Sequence, residues 1–254
     1  MELEDYRRRI DEIDDQLIGL FTERMDTVDE IAAYKRAHAL PVLDERREKE
    51  KLLDMTGKTR PALRGYAAAL CRTLLALSRD RQRRGTADDP DRERRETENI
   101  VLIGMPGCGK TTLARRMGEL TGRPVLNADR RVAELAGCSI PEIFARRGEE
   151  GYRELETRAL AALGETVGAI IDTGGGCVTR EENYPLLHKN GTIFWIERPA
   201  ALLAREGRPL SERADLEDMY ARRAPLYRRF ADFRIRNDRT VDEAAAELLE
   251  ICGI

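Results

Sequence analysis

Histidine is nearly missing: His38 and His188 are the only two in 254 residues. A histidine-based metal centre or catalytic triad therefore has little to be built from. Cysteine is scarce and scattered. Cys71, Cys108, Cys138, Cys177 and Cys252 are odd in number and contain no C-x-x-C, which argues for reduced thiols over a disulfide frame or zinc site. No apolar run approaches the ~20 residues that cross a bilayer, so no membrane partner is expected. The chain is charged from Glu2 onward, without the apolar stretch of a secretory leader, and a cytoplasmic location is the expectation. Charge of one sign is lacking too. With 36% charged residues but a net charge of −3, there is no overall basic footprint for nucleic acid.

What is present falls into two grammars. Residues 1–84 hold little glycine or proline, and their apolar residues recur at helical spacing. From Ile100 onward, short β-branched runs alternate with helical patterns and glycine clusters, the mark of an α/β domain. Between them, residues 85–98 are polar and interrupted by Gly85 and Pro90. Their acids and bases are interleaved, which suits a solvated linker better than a nucleic-acid tail. The expected organisation is an all-α domain over 1–84, a charged linker over 85–98, and an α/β domain with a parallel sheet over 99–254. There is no internal repeat.

In the first half, Leu3, Ile10, Leu17, Arg24 and Ile31 recur every seven residues. Arg7, Asp14, Phe21, Val28 and Lys35 form a second column at the same spacing. With Tyr6, Ile13 and Leu20 they make one stripe on a helix from Leu3 to Ala37, about 50 Å long at the usual rise per residue. Two further helices in so small a domain cannot cover that stripe, so an intertwined homodimer is expected. Arg7, Arg24 and Lys35 lie on the stripe itself. Either they snorkel at its edge or pair with Asp14, or an anionic ligand sits in the interior, because unpaired buried charge is expensive. Leu40-Pro41-Val42 breaks the helix. Asp44 opens the next, with Arg47 and Glu48 in its first turns, and acids favour helix N-termini in any case. A third helix, from Pro61 to Arg83, carries Ala67, Leu70, Leu74 and Leu77, with Ser78 and Gln82 one turn apart beside them.

The ordered set Leu3…Arg7-x-x-Ile10-Asp11-x-Ile13-Asp14, Arg24, Lys35, Pro41-Val42, Asp44, Arg47-Glu48 and Ser78-x-x-x-Gln82 resembles the small all-helical chorismate mutases over Leu3 to Arg83. The resemblance implies rearrangement of the chorismate dianion to prephenate, a pericyclic step that needs no nucleophile or cofactor. The protein has to hold the reactive conformer and stabilise charge on the breaking ether oxygen. Arg24 and the partner subunit's Arg7 would then hold the carboxylates, and Lys35 and Gln82 would donate to the ether oxygen. Arg47 and Glu48 would orient the ring hydroxyl, and Asp44 and Ser78 would support the ring-carboxylate end. Gln82 donates without titrating, which suits a broad pH range. The non-catalytic alternative is a ligand-sensing dimerisation module that controls the other half.

In the second half, the apolar strand Asn99–Ile103 leads into Gly104-Met105-Pro106-Gly107-Cys108-Gly109-Lys110-Thr111 and a helical run through Leu120. This is G-x-x-x-x-G-K-[ST] in the strand–loop–helix setting of a P-loop. Glycines let backbone N–H groups turn onto phosphate oxygens at a helix N-terminus. Gly104, Gly107, Cys108, Gly109, Lys110, Thr111 and Thr112 are the expected ATP contacts. Lys110 would reach the β- and γ-phosphates, and Thr111 would bind Mg²⁺. Cys108 fills a variable loop position and is given no redox role.

Further on come Val125-Leu126-Asn127-Ala128-Asp129 ending a second strand, the segment Gly151-Tyr152-Arg153-Glu154-Leu155-Glu156, and a strand over Ala169–Ile171 followed by Asp172-Thr173-Gly174-Gly175-Gly176. Gly207-Arg208-Pro209-Leu210 and Arg223-Ala224-Pro225-Leu226-Tyr227 follow. In this order they resemble the shikimate kinases over 99–254. The resemblance implies that Asp129 accepts the shikimate hydroxyl and helps deprotonate it. Arg153 and Arg223 would hold the carboxylate, and Gly174, Gly175 and Gly176 would let backbone amides approach the substrate. Arg208 would lean on ATP phosphates from a lid, and Arg205 could stack on adenine. Guanidinium forks suit both carboxylate and phosphate. Two positions depart from the family. Asn127 stands where D-x-D usually begins, and Asp172 ends the strand where a small residue is common. Asp172 is therefore expected to restore the missing charge near Mg²⁺. The alternatives are a kinase for another polyol acid such as gluconate, or a regulatory nucleotide-binding domain.

Overall fold

The computed structural model describes residues 2–84, 86, 89, 91–199, 203 and 212–254. The chain divides into two compact units at Arg92/Glu93.

The first unit is helical. α1 (Leu3–Ala37) runs the length set by its sequence stripe, and Asp5 closes its first turn by accepting the Glu2 N–H at 2.9 Å. α2 (Glu45–Gly57) begins at Asp44, whose side chain accepts the Arg47 N–H at 2.9 Å. A 3₁₀ turn over Pro61–Leu63 leads into α3 (Arg64–Arg83). α3 packs against both α1 and α2. The core this makes is small: Val28, Ala32 and Cys71 are its buried apolar residues. The rest of the stripe lies open, with Leu3, Ile10, Leu17 and Leu20 all exposed, Leu17 at 53%.

The charged segment read as linker contains a short helix, α4 (Arg92–Thr97). Its end is tied into the second unit. Arg123 donates to the carbonyls of Arg95 and Glu98, and the Thr97 carbonyl accepts from the Gly168 N–H and the Asn190 amide. Composition alone gives no sign of these long-range bonds.

The second unit is a five-stranded parallel sheet in the order β2-β3-β1-β4-β5. β1 (Asn99–Ile103) sits at its centre with every residue buried. β2 (Val125–Asn127) and β3 (Ile170–Asp172) lie to one side, β4 (Gly191–Glu197) and β5 (Phe233–Arg236) to the other. The near-continuous apolar runs of β1 and β4 fit strands covered on both faces. Around the sheet pack α5 (Lys110–Thr121), α6 (Ala128–Ala136), α7 (Ile140–Gly164), α8 (Asn183–His188), α9 (Glu212–Phe230) and α10 (Val241–Cys252). Leu113 and Met117 of α5 and Ala244 and Leu248 of α10 are fully buried in the main core. A second cluster, Val132, Ile143, Tyr152, Leu155 and Ala159, joins α6 to α7.

β2 stops at Asn127 and does not continue to Asp129. The Asn127 side chain accepts the Arg130 N–H at 2.8 Å and so caps α6, which puts Asp129 in the first helical turn. Strands β1, β2 and β3 all end at the same edge, so the phosphate loop, Asn127, Asp129 and Gly174–Gly176 share the carboxyl end of the sheet, where ligands of open α/β sheets bind.

Candidate functional site

The phosphate loop leaves β1 and enters α5. Gly104, Gly107 and Gly109 all have positive φ. A Cβ on Gly104 would meet the Ile196 carbonyl at 2.4 Å, and one on Gly109 would meet the Asn237 amide at 2.4 Å, so neither position admits another residue without a shift. Asn237, at the carboxyl end of β5, also donates to the Cys108 carbonyl at 2.7 Å and braces the loop. The buried Lys110 amine folds back on the carbonyls of Gly104 and Met105, at 2.9 and 3.1 Å. The Cys108 N–H donates to the Met105 carbonyl, and burial pushes the Cys108 thiol up. Thr111 and Thr112 are exposed in the first turn of α5.

Beside Thr111 lies an oxygen cluster. Asp172 is paired in register with Asn127 across β2 and β3. One Asp172 oxygen, Oδ2, accepts the Thr111 hydroxyl at 2.7 Å and the Asn127 amide at 2.8 Å. The carboxylate of β3 thus reaches the same point as the side chain that departs from the family at Asn127. These hard oxygen donors, next to a glycine cradle for phosphates, fit a nucleotide with Mg²⁺.

The acceptor side is built on the triple glycine. A Cβ on Gly174 would lie 2.7 Å from Glu156 Oε1, 3.0 Å from Asp129 Oδ1 and 3.6 Å from the Tyr152 hydroxyl. One on Gly176 would lie 2.2 Å from the Arg153 guanidinium, and one on Gly175 would strike Pro106 of the phosphate loop. The glycines therefore hold Asp129, Arg153 and the loop around one space. Arg153 pairs with Glu156 at 2.6 Å and Glu149 at 3.2 Å. Arg223 of α9 donates to the Gly175 carbonyl at 3.3 Å, and the buried Tyr227 hydroxyl donates to the same carbonyl. Glu156 is fully buried; burial raises its pKa and Arg153 opposes that rise. Its Oε1, which lies over Gly174, and the Arg153 Nε are buried without a hydrogen-bond partner.

Sequence reasoning quoted Tyr152 and Glu156 but gave them no role. Glu156 was findable, since it lies three residues from Arg153 on one helical face. Asn237, far along the chain, leaves no local signal. Arg205 and Arg208 lie outside the described residues.

In the helical unit the expected residues are present but differently engaged. Arg24 donates to the buried Ser78 hydroxyl at 2.7 Å, and Lys35 to the Val42 carbonyl at 2.6 Å. The Gln82 amide donates to the Ser78 carbonyl at 3.1 Å, and its buried Oε1 has no partner. Glu48 is taken by Arg79, one nitrogen lying 2.5 Å from both carboxylate oxygens. Asp44 caps α2, and Arg47 points outward near Glu50 at 3.9 Å. Arg7 pairs with Glu4 at 3.1 Å on the exposed part of α1. Among the described residues none of the three stripe cations pairs with Asp14. Arg79, and the Arg81–Asp29 pair at 2.7 Å, were not singled out from the sequence.

Comparison with known proteins agrees with both halves. The shikimate kinase family model matches residues 106–252, and the chorismate mutase type II model matches residues 6–83. A shikimate kinase of Neisseria meningitidis serogroup C is 38% identical over 147 residues, 54% of this chain and 86% of that protein. One from Symbiobacterium thermophilum is 37% identical over 164 residues, covering 60% and 94%. Among solved structures, shikimate kinase from Acinetobacter baumannii in complex with shikimate aligns with a TM-score of 0.58 at 31% identity, covering 64% of this chain and 97% of that one. Shikimate kinase from Aquifex aeolicus aligns at 0.53 and 29% identity, covering 60% and 94%. A phosphate loop braced against a carboxylate-lined acceptor space, preceded by three helices that match a second enzyme family, thus has one account: the chain belongs to the shikimate kinase family and carries a type II chorismate mutase ahead of the kinase, uniting a phosphotransferase and an isomerase of aromatic amino-acid biosynthesis.

Proposed function

We propose that shikimate is bound over Gly174–Gly176 and phosphorylated there from ATP held on Gly104–Thr111. The observation that carries this reading is the convergence of Asp129, Glu156 and Arg153 on bare glycine backbone beside the phosphate loop. Arg153 and Arg223 hold the carboxylate. Asp129 takes the proton of the acceptor hydroxyl as its oxygen bonds to the γ-phosphorus and the bond to the β–γ bridging oxygen breaks. Lys110 leaves the loop carbonyls for the β- and γ-phosphates, and the backbone of Gly107–Lys110 and the Thr112 region line the phosphate chain. Asp129→Asn in full-length protein should abolish ADP release that depends on shikimate while chorismate consumption continues. Retained turnover would remove Asp129 from the mechanism.

Mg²⁺ belongs to the same proposal. Among the described residues no group of three His, Cys, Asp or Glu could hold a metal by itself. The ion would rest on Thr111, Asp172 and nucleotide oxygens, and it would neutralise charge on the phosphates. The Thr111–Asp172–Asn127 contacts support Asp172 as the acid that replaces the one missing at Asn127.

For the helical unit the proposed role is chorismate rearrangement in a homodimer. Arg24 meets Ser78 across the α1–α3 seam with Gln82 one turn beyond, and Lys35 lies three turns further along α1 at the Val42 carbonyl. Asp44, Arg47 and Glu48 come from the start of α2, and the partner subunit's Arg7 completes the set. The exposed stripe from Leu3 to Leu20 supports a second copy as the covering surface. No helix among the described residues is long and apolar enough to cross a membrane, and a cytoplasmic setting for both reactions is part of the proposal.

A further inference from the structure

Tyr152 opens the Tyr152-Arg153-Glu154-Leu155-Glu156 segment of α7, and its ring and its hydroxyl have separate surroundings. Tyr152 is 5% exposed and belongs to the cluster that joins α6 to α7. It stacks on Phe144 with ring centres 4.8 Å apart, and the Arg153 guanidinium lies 5.2 Å from its centre. A phenylalanine ring would fill that space as well, so packing does not require the hydroxyl. A buried hydroxyl costs stability unless it finds a partner. This one donates to Asp129 Oδ1 at 2.8 Å.

Among the described residues Tyr152 is the single hydrogen-bond donor on Asp129. That carboxylate stands in the first turn of α6, with the bare face of Gly174 beneath it and Glu156 across. The terminal torsion of an aspartate is broad, so a lone carboxylate over glycine would swing. One bond from a fixed phenol removes that freedom and leaves Oδ2 available. Burial and the nearby Glu156 and Asp129 carboxylates push the phenol's pKa up, so its proton stays in place for the donor role.

We propose that Tyr152 is a positioning residue for phosphoryl transfer: its hydroxyl fixes the Asp129 carboxylate so that Oδ2 meets the acceptor hydroxyl in line for proton removal. The inference rests on the reading of Asp129 as proton acceptor. It asks little of shikimate binding, which falls to Arg153, Arg223 and the glycine backbone, and much of the bound geometry, where small misplacements are costly.

The test is Tyr152→Phe in the full-length protein. Shikimate-dependent kcat should fall ~5- to 30-fold, with KM for shikimate and for ATP within about twofold of the parent. Melting temperature and chorismate mutase rate report whether the chain is folded, and both should be unchanged. A Tyr152→Phe kcat within twofold of the parent, beside an inactive Asp129→Asn, would overturn the positioning role alone. A rise in KM that accounts for the whole loss would also overturn it, by making Tyr152 a substrate contact. An active Asp129→Asn would overturn both readings at once.

Discussion

The two units differ in how far the residues of their expected sites are enclosed. In the α/β unit Arg153 is clamped by Glu156 and Glu149 over a glycine turn that leaves no room for a side chain. Asp129, Asp172, Arg223 and Lys110 are likewise fixed by groups of the same unit. In the helical unit Arg24 and Lys35 rest on a hydroxyl and a carbonyl, Arg7 points out with 64% of its side chain exposed, and most of the α1 stripe has no apolar cover. One site is organised within its own fold. The other has open edges, and the proposed second copy would cover them. Preorganised donors are what phosphoryl transfer and charge stabilisation require.

Paired loss-of-function variants should separate the units most sharply. Lys110→Ala should lower kinase turnover about 10³-fold with mutase rate intact, and Lys35→Ala should do the reverse, each assayed by ADP release and by chorismate absorbance. A variant that silenced both would break the independence of the two sites. Leu17→Glu with Leu20→Glu should convert a sedimenting dimer into monomer and abolish mutase activity, with the kinase retained. A monomeric parent that is fully active as a mutase would overturn the need for assembly. Asp172→Asn should lower kinase kcat roughly 10- to 100-fold and raise the Mg²⁺ concentration for half-activity. Unchanged Mg²⁺ dependence would remove Asp172 from the metal site.

The smallest expected effect concerns stability of the helical unit. The hydrogen bond and charge of Arg81 hold the Asp29 carboxyl below its ordinary value of 3.8. A lowered folded-state pKa means stability that is present above the unfolded value and lost as pH falls through the folded one. The pair is half-buried and still open to solvent screening, so Asp29→Asn should cost below about 1 kcal/mol at neutral pH and make acid unfolding less steep. Denaturant midpoints at pH 7 and pH 3 would check this, and an equal loss at both would show that charge is not the cause.

Legibility in the sequence followed the locality of the forces. α1 was readable to its ends because its period and its Pro41 breaker are local. The phosphate loop was readable because its glycines, Lys110 and Thr111 act within eight residues. β4 went unassigned although Ile193-Phe194-Trp195-Ile196 is the kind of run a buried central strand makes, and β5, with only Ile235 buried, carries almost no pattern. The ordered end of the linker, Asn237 beneath the loop, and the Arg79–Glu48 pair depend on contacts far apart in sequence, which spacing cannot show. Glu48 and Asp44 illustrate a different gap. Their identities were evident and Asp44 was placed at the start of α2, where it does cap the helix, but Arg79 as the partner of Glu48 was not visible.

The register pairing of Asn127 with Asp172 has a further consequence. Because the two side chains meet across adjacent strands, a negative charge can be moved from β2 to β3 without displacing the point at which it acts. An amide facing a carboxylate completes that exchange, whereas Asn127→Asp alone would set two carboxylates at hydrogen-bond distance, which must share a proton or gather a cation. Asn127 and Asp172 are therefore one electrostatic unit, in which a change at either position alters the charge that the other must meet.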